Sequence, residues 1–349
     1  MTVLITGGGG FVMANLARLW LESTPDGQSP DVVVLDAAAP DPVFRRAFAD
    51  AGDRLTYVQA DVTRPESWNH AVAGRTIRAI VHAATITPNT QGPPEKAKVV
   101  PERDIPARIL DVNIMGTVQM LEFARQCPDL KRFIYVSSGS VYGDHGPDIA
   151  GAPLPEDGWV EPHELYAVSK YSSELITRRY AELFGLSAVS VRLSGVFGPF
   201  DRATPARTYE CAPNRVAHLA LAGRTIRVDR LDAIGDWISA PDIARALVHL
   251  LLAESPRHSV YNIAQGRTDT VADLLRHTRA VLPQTRWQES AADSADVLQG
   301  GPYTGGRWGA YDIARLRDEF GWQPTPLAAA MAEYIGWIRQ IEMPARALR

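Results

Sequence analysis

The chain opens on Thr2-Val3-Leu4-Ile5 and passes at once into Thr6-Gly7-Gly8-Gly9-Gly10-Phe11-Val12-Met13. No other stretch limits the fold so tightly. A short apolar strand that ends in glycines and runs straight into a helix brings backbone close to an anion. The helix then offers unpaired N–H groups and its positive end to phosphate. A glycine-rich stretch alone says little; its position between a strand and a helix supplies the context that a dinucleotide site needs. The glycines fall at Gly7 and Gly10, with Met13 where a third glycine would serve close helix–strand packing.

Further short apolar runs follow: Val32-Val33-Val34-Leu35, Leu55-Thr56-Tyr57-Val58, Ala79-Ile80-Val81, Phe133-Ile134-Tyr135-Val136 and Ala188-Val189-Ser190-Val191. Helical patterns separate them, at about 11–21, 109–126 and 166–184. Continuous apolar strands alternating with helices imply a parallel sheet covered on both faces. The expected fold is α/β, a Rossmann-type doubly wound sheet with a smaller, interleaved C-terminal substrate lobe. Residues 1–190 form the first unit, with 233–265 returning to it, and 191–232 and 266–349 form the lobe. In the second half, 199–230 reads as a loop-rich excursion and 283–309 as loops, while Leu247–Leu252 sits on a helix and Val260–Ile263 on a strand.

The second strand ends at Asp36. A carboxylate there accepts hydrogen bonds from ribose hydroxyls and repels a 2′-phosphate, and Ala37, Ala38 and Ala39 follow with no arginine. The expected cofactor is NAD. Asp61, after the third strand, either meets the adenine edge or caps a helix. The net charge of −4 gives no electrostatic reason for a nucleic acid or an anionic membrane as partner. Two cysteines, Cys127 and Cys211, suggest neither a disulfide framework nor a metal cluster. No leader or membrane-spanning run is visible, so a cytoplasmic enzyme with a small-molecule substrate is expected.

Tyr166-Ala167-Val168-Ser169-Lys170 sets a phenol and an ammonium four residues apart, on one face of a helix. Lys170 is placed to hold a ribose and to stabilise the tyrosinate of Tyr166, which makes that phenol a general acid/base near neutral pH. Tyr135-Val136-Ser137-Ser138-Gly139-Ser140-Val141-Tyr142-Gly143 runs from a strand into a serine-rich turn. A hydroxyl there can bind the substrate oxygen. His82 reads as a packed, hydrogen-bonded side chain, and the small Ala83 and Ala84 leave room for a cofactor.

This set resembles the extended short-chain dehydrogenase/reductase family, of the NAD-dependent epimerase/dehydratase type. The resemblance continues through Arg192-Leu193-Ser194-Gly195-Val196-Phe197-Gly198-Pro199, Gly235-Asp236-Trp237, Tyr261-Asn262-Ile263 and Phe320-Gly321-Trp322-Gln323-Pro324. It implies Ser138, Tyr166 and Lys170 as the catalytic set. It implies cofactor contacts at Gly7, Gly10, Phe11, Val12, Asp36, Asp61, Val62, Ala83, Ala84, Asn113, Tyr166 and Lys170, and a homodimer built from two helices per subunit. Substrate contacts are expected at Thr85, Ser140, Gly195, Arg202 and Arg207, and no metal is expected.

The chain also departs from that family. Gly139 and Ser140 stand where dehydratases carry an acidic pair. Gly195 replaces the usual Asn, Gly235 the usual Arg, and nothing basic stands at Pro302. Losing several charge-assisted contacts would weaken a diphosphate. The expected function is therefore an NAD-dependent oxidoreductase acting at a secondary alcohol of a small polyhydroxylated substrate, not a nucleotide sugar. The arginines of the excursion (202, 207, 215, 224, 227 and 230) are mostly solvated or paired in this reading, with one or two free for a substrate carboxylate. The alternatives are an NAD-dependent sugar epimerase with transient oxidation and a non-catalytic NAD-binding regulatory protein.

Overall fold

In the computed structural model of the chain, the described residues are 2–23, 30–88, 99–143, 152–202, 211–298 and 309–346. Seven parallel strands make the main sheet: β1 (Thr2–Thr6), β2 (Asp31–Asp36), β3 (Leu55–Gln59), β4 (Ile77–His82), β5 (Arg132–Val136), β6 (Ala188–Leu193) and β11 (Val260–Ile263). Their order is β3-β2-β1-β4-β5-β6-β11. Ile5 lies opposite Val34 on one side and Val81 on the other. The β-branched runs suit this position, because each strand is buried on both faces and alternate side chains feed different cores. Val3, Ile5, Val32 and Val34 enter one core, and Leu4, Val33 and Leu35 enter the other.

Helices cover both faces: α1 (Phe11–Glu22), α2 (Pro42–Ala47), α3 (Asn69–Val72), α4 (Pro101–Asp104), α5 (Pro106–Leu110), α6 (Gly116–Ala124) and α7 (Leu165–Phe184). A π-helical turn, Asp111–Met115, joins α5 to α6. Met13 does not disturb the glycine turn. Its side chain faces inward and is buried in the first core.

The second half holds β7 (Gly195–Phe197), α8 (Ala212–Leu221), β8 (Thr225–Val228), β9 (Ile234–Gly235), β10 (Trp237–Ser239) and α9 (Ala240–Leu252) ahead of β11. After it come β12 (Asp269–Thr270), α10 (Val271–Val281), β13 (Arg286–Glu289), α11 (Ala314–Phe320), α12 (Leu327–Trp337) and α13 (Met343–Arg346). Two stretches expected as loops are more ordered than that. Within 199–230, Pro213 opens α8, and Val216, Ala217, Leu219 and Ala220 bury one side of it. Within 283–309, β13 pairs in parallel with β8. These strands are four residues long, too short for a period to show in the sequence. Core residues of the second half, such as Val216, Ile226, Leu274 and Met331, belong to the same cluster as Val3 and Ile5.

The strand order reverses between β1 and β4. In such sheets ligands bind beyond the carboxyl ends of the strands at that point. Thr6 and His82 end these two strands side by side.

The helix that carries Tyr166 is tied to the sheet by a buried ion pair. Arg192 of β6 meets Glu174 of α7 at 2.8 Å, and both side chains are only 4% exposed. The guanidinium also donates to the Glu156 carbonyl and lies 4.9 Å from the centre of the Tyr142 ring. Removing one partner of such a pair leaves an uncompensated buried charge. Glu174→Ala should therefore cost about 3–5 kcal/mol in urea unfolding, and Glu174→Gln less. A loss below about 1 kcal/mol for Glu174→Ala would mean that the pair does not hold α7.

Candidate active site

Ser138 leaves β5 in extended conformation and opens a short 3-10 turn, Gly139–Tyr142. Its Oγ accepts from the Ser140 N–H at 3.1 Å and from the Ser140 hydroxyl at 3.0 Å. Tyr166 is the second residue of α7, and its phenol lies near the Ser138 hydroxyl. Lys170 follows one turn later. Its ammonium donates to the Val136 carbonyl at 2.8 Å and lies 5.7 Å from the centre of the Tyr166 ring. The end of β5 and the start of α7 thus bring Ser138, Ser140, Tyr166 and Lys170 into one cluster.

The electrostatics differ from the sequence expectation in one respect. Burial pushes Tyr166 up to about 12; the nearby Ser138 hydroxyl opposes this and Glu164 adds to it. Burial also drives Lys170 down to about 7, against the pull of Glu174. The two groups share a low-dielectric site where each charged form is disfavoured. Lys170 alone therefore does not bring the phenol near neutrality.

Asn113 sits in the π-helical turn and is buried. Its side chain accepts from the Ile86 N–H at 2.7 Å and donates to the Ile86 carbonyl and to the Ser169 hydroxyl. Its own carbonyl accepts from Thr117 and Ser173. Asn113 is therefore a strut between the loop after β4 and α7. Thr85 lies in that loop, half-buried.

At the other end, Gly7 has a left-handed backbone at φ 67°, and a Cβ on it would stand 3.0 Å from the Ala83 carbonyl carbon. A Cβ on Gly8 would stand 2.9 Å from Val34, and one on Gly9 would overlap the Tyr57 hydroxyl. Gly10 caps α1, and no side-chain hydrogen bond caps the helix start, where Phe11 and Val12 begin the first turn. These are the features of a phosphate cradle. Asp36 accepts from Gly9 N–H at 3.0 Å and from Ala38 N–H at 2.9 Å. Burial raises its pKa; those two bonds and the nearby Arg202 oppose the rise.

His82 is buried and bonded through both ring nitrogens, to Thr6 at 2.7 Å and Thr117 at 3.1 Å. Burial, and then the Lys170 charge, push it down to about 3, so it stays neutral. Asp61 closes a turn onto Thr63 and pairs with Arg108. Those bonds outweigh the opposing effect of burial and hold its pKa low. Val62 packs against Gly116.

Some expected substrate contacts lie elsewhere. Arg202 is buried, paired with Asp41 and bonded to the Phe200 carbonyl at 2.8 Å. The fold carries it to the end of β2, beside Asp36, rather than to Ser138. Arg215, Arg224 and Arg227 gather at Asp296, and Arg230 pairs with Asp232. Arg207 and Pro302 lie outside the described residues. Gly195 pairs with Trp237, and a Cβ on it would stand 3.0 Å from the Asp236 carbonyl and 3.2 Å from the Trp237 ring. A Cβ on Gly235 would fall on the same indole. Among the described residues, no His, Cys, Asp or Glu group could hold a metal ion. No described helix is long and apolar enough to cross a membrane.

Sequence reasoning overlooked Thr6. Its hydroxyl accepts from the Ala83 and Ala84 N–H groups and bonds His82. The available signal was a hydroxyl at the last position of β1, just before the glycines.

The profile of the NAD dependent epimerase/dehydratase family matches residues 3–264. The chain belongs to that family. It is an NAD-dependent enzyme of the extended short-chain dehydrogenase type. The dTDP-glucose 4,6-dehydratase of Mycolicibacterium smegmatis is 27% identical over 354 residues, covering 98% of this chain and 94% of that protein. In fold, the chain is similar to dTDP-glucose 4,6-dehydratase of Bacillus anthracis in complex with NAD (TM-score 0.77, 21% identity, all of both chains). It is also similar to UDP-glucose 4-epimerase of Thermotoga maritima with UDP-glucose (TM-score 0.74, 21% identity, all of both chains).

These relatives overturn the expectation of a small substrate that is not a nucleotide sugar. That expectation rested on the absence of Asn and Arg side chains at Gly195 and Gly235 and of a basic residue at Pro302, which lies outside the described residues. The structure gives a different reason for both glycines: the Trp237 indole occupies the space over each.

The depressed Lys170 pKa has a consequence for stability. The unfolded lysine titrates near its ordinary value of 10.5 and the folded one at about 7. This contribution to stability is therefore present above the unfolded value and is lost as pH falls to the folded one. Lys170→Met removes the titration. The stability difference between Lys170→Met and wild type, from urea unfolding, should shift toward the variant from pH 10 to pH 7 and stay level below. A difference that does not change with pH would show that Lys170 is not depressed.

Proposed function

We propose that this enzyme is an NAD-dependent epimerase of a nucleotide-linked sugar, inverting a secondary alcohol carbon by transient oxidation. The observation that carries this reading is the wall of the cluster. Ser138, Tyr166 and Lys170 come together, yet the two residues after Ser138 are Gly139 and Ser140, which bring no carboxyl group. Eliminating water needs an acid and a base besides the phenol; inverting a carbinol needs only the phenol and a hydride carrier.

NAD would supply the hydride acceptor and donor and a positive charge. The glycine turn and the start of α1 hold its diphosphate, and Asp36 takes the adenosine ribose hydroxyls. Lys170 holds the second ribose. Ser138 Oγ binds the reacting sugar oxygen, and Tyr166 Oη takes that oxygen's proton and gives it back. Asn113 keeps α7 and the loop after β4 in register around them.

Tyr166→Phe removes the proton acceptor and keeps Lys170. Turnover should fall about 100- to 10,000-fold while NAD binding stays within a few fold. With UDP-glucose or dTDP-glucose, NMR should find an epimer of unchanged mass and no net NADH. A product lighter by one water, or stoichiometric NADH, would sink the epimerase reading.

The partner we infer is a second copy of the chain. Helices α5 and α7 pack side by side, and α6 packs on α7 as well. Leu110 and Met115 are exposed at the α5–α6 junction, and Val168, Leu175, Leu183 and Phe184 along α7. Val168 and Leu175 are two turns apart on one face, a pattern that a two-fold axis can bury against itself. Sedimentation at micromolar concentration should give twice the chain mass, and Leu175→Glu should give the monomer. A wild type that sediments as a monomer would refute this assignment.

A further inference from the structure

Tyr311 comes from the far end of the sequence to the turn that carries Ser138. Its backbone bridges in parallel to Leu154, and its N–H donates to Asp236 Oδ2 at 3.1 Å. The ring meets Tyr142 edge-on, with centroids 5.4 Å apart. From there the phenol reaches the backbone of Gly139. A side chain at 139 would overlap the Tyr311 hydroxyl and the ring carbon that bears it. The phenol thus fills the space that a residue after Ser138 would otherwise fill with its own side chain.

The Tyr311 side chain is buried, and its hydroxyl has no hydrogen-bond partner among the described residues. An unpaired buried hydroxyl opposes folding, and phenylalanine would fill the same space without that penalty. The hydroxyl therefore calls for a partner outside the chain, and the neighbouring turn is the one that binds the reacting oxygen.

We propose that Tyr311 is a substrate-positioning residue, whose hydroxyl bonds a sugar oxygen next to the carbon that Tyr166 and Ser138 act on. This rests on the nucleotide-sugar reading above. Burial, then the Asp236 carboxylate, holds the phenol well above its ordinary pKa, so it is neutral and serves as a hydrogen-bond group rather than a base. Where a carboxylate would draw protons, this chain sets a neutral donor. The sugar oxygen it holds is kept, not expelled.

The test is binding to the NAD-loaded protein by calorimetry, with UDP-glucose and dTDP-glucose set against bare UDP and dTDP. Tyr311→Phe should weaken the sugar nucleotides about 3- to 10-fold and leave the bare diphosphates unchanged, with a melting temperature, measured without sugar nucleotide, above that of the wild type. Unchanged sugar-nucleotide binding overturns the proposal. So does a wild type that binds sugar nucleotides no better than the bare diphosphates, or binds neither. Tyr311-dependent binding without epimerisation would sink the epimerase reading and leave Tyr311 in place. Gly139→Ala checks the geometry: it should lower the melting temperature in wild type but much less in Tyr311→Ala. Equal losses in both backgrounds would show that the phenol does not occupy that space, and overturn the proposal.

Discussion

The second half of the molecule is organised around one carboxylate. Asp236 accepts from the Ser194 hydroxyl and the Gln265 N–H through Oδ1, and from the Gly266 and Tyr311 N–H groups through Oδ2. These donors come from the end of β6, the end of β11 and the segment before α11. Three backbone segments, at Ser194, at Gln265–Gly266 and at Tyr311, are therefore held by a single buried anion. Burial raises its pKa to about 6, while the four bonds oppose that rise. At neutral pH it is ionised and can accept all four.

The first half relies on a different device. Helix α7 buries polar residues: Ser169, Lys170, Ser173, Glu174 and Thr177. The first four have partners that fix the helix to something else: Asn113, the Val136 carbonyl, the Asn113 carbonyl and Arg192. An apolar helix face would hold α7 as firmly, but it would not fix the height of Tyr166 over the end of β5. Directional bonds set that register where packing alone would tolerate sliding.

This contrast explains what could be read from sequence. The seven strands and the long helices were legible, because Val32–Leu35 or Phe133–Val136 advertise a doubly buried strand by composition alone. Ser138, Tyr166 and Lys170 were legible as a set through their spacing and the turn before them. The partnerships were not. Nothing local to Arg202 says that Asp41 holds it, since 161 residues separate them. Helix α8 was hidden by the Pro and Arg around it, and β8 and β13 by their shortness. The pKa of Tyr166 was misjudged because sequence shows the neighbouring ammonium but not the burial of both groups.

The glycines carry the same point further. A glycine where relatives carry a functional side chain invites the inference that a contact has been lost. At three positions here the vacant volume is taken by an aromatic residue. Trp237 covers Gly195 and Gly235, and Tyr311 covers Gly139. Close packing makes this necessary, because a deleted side chain leaves a void that something must fill or that the fold must bear at a cost. When the filler is indole or phenol, it carries an N–H or O–H to the same place. Such a pair must then change together: the glycine cannot regain a side chain unless the aromatic residue withdraws. The chemistry of this cleft is accordingly written in pairs of positions, two of them far apart in the chain: Gly195 with Trp237 and Gly139 with Tyr311.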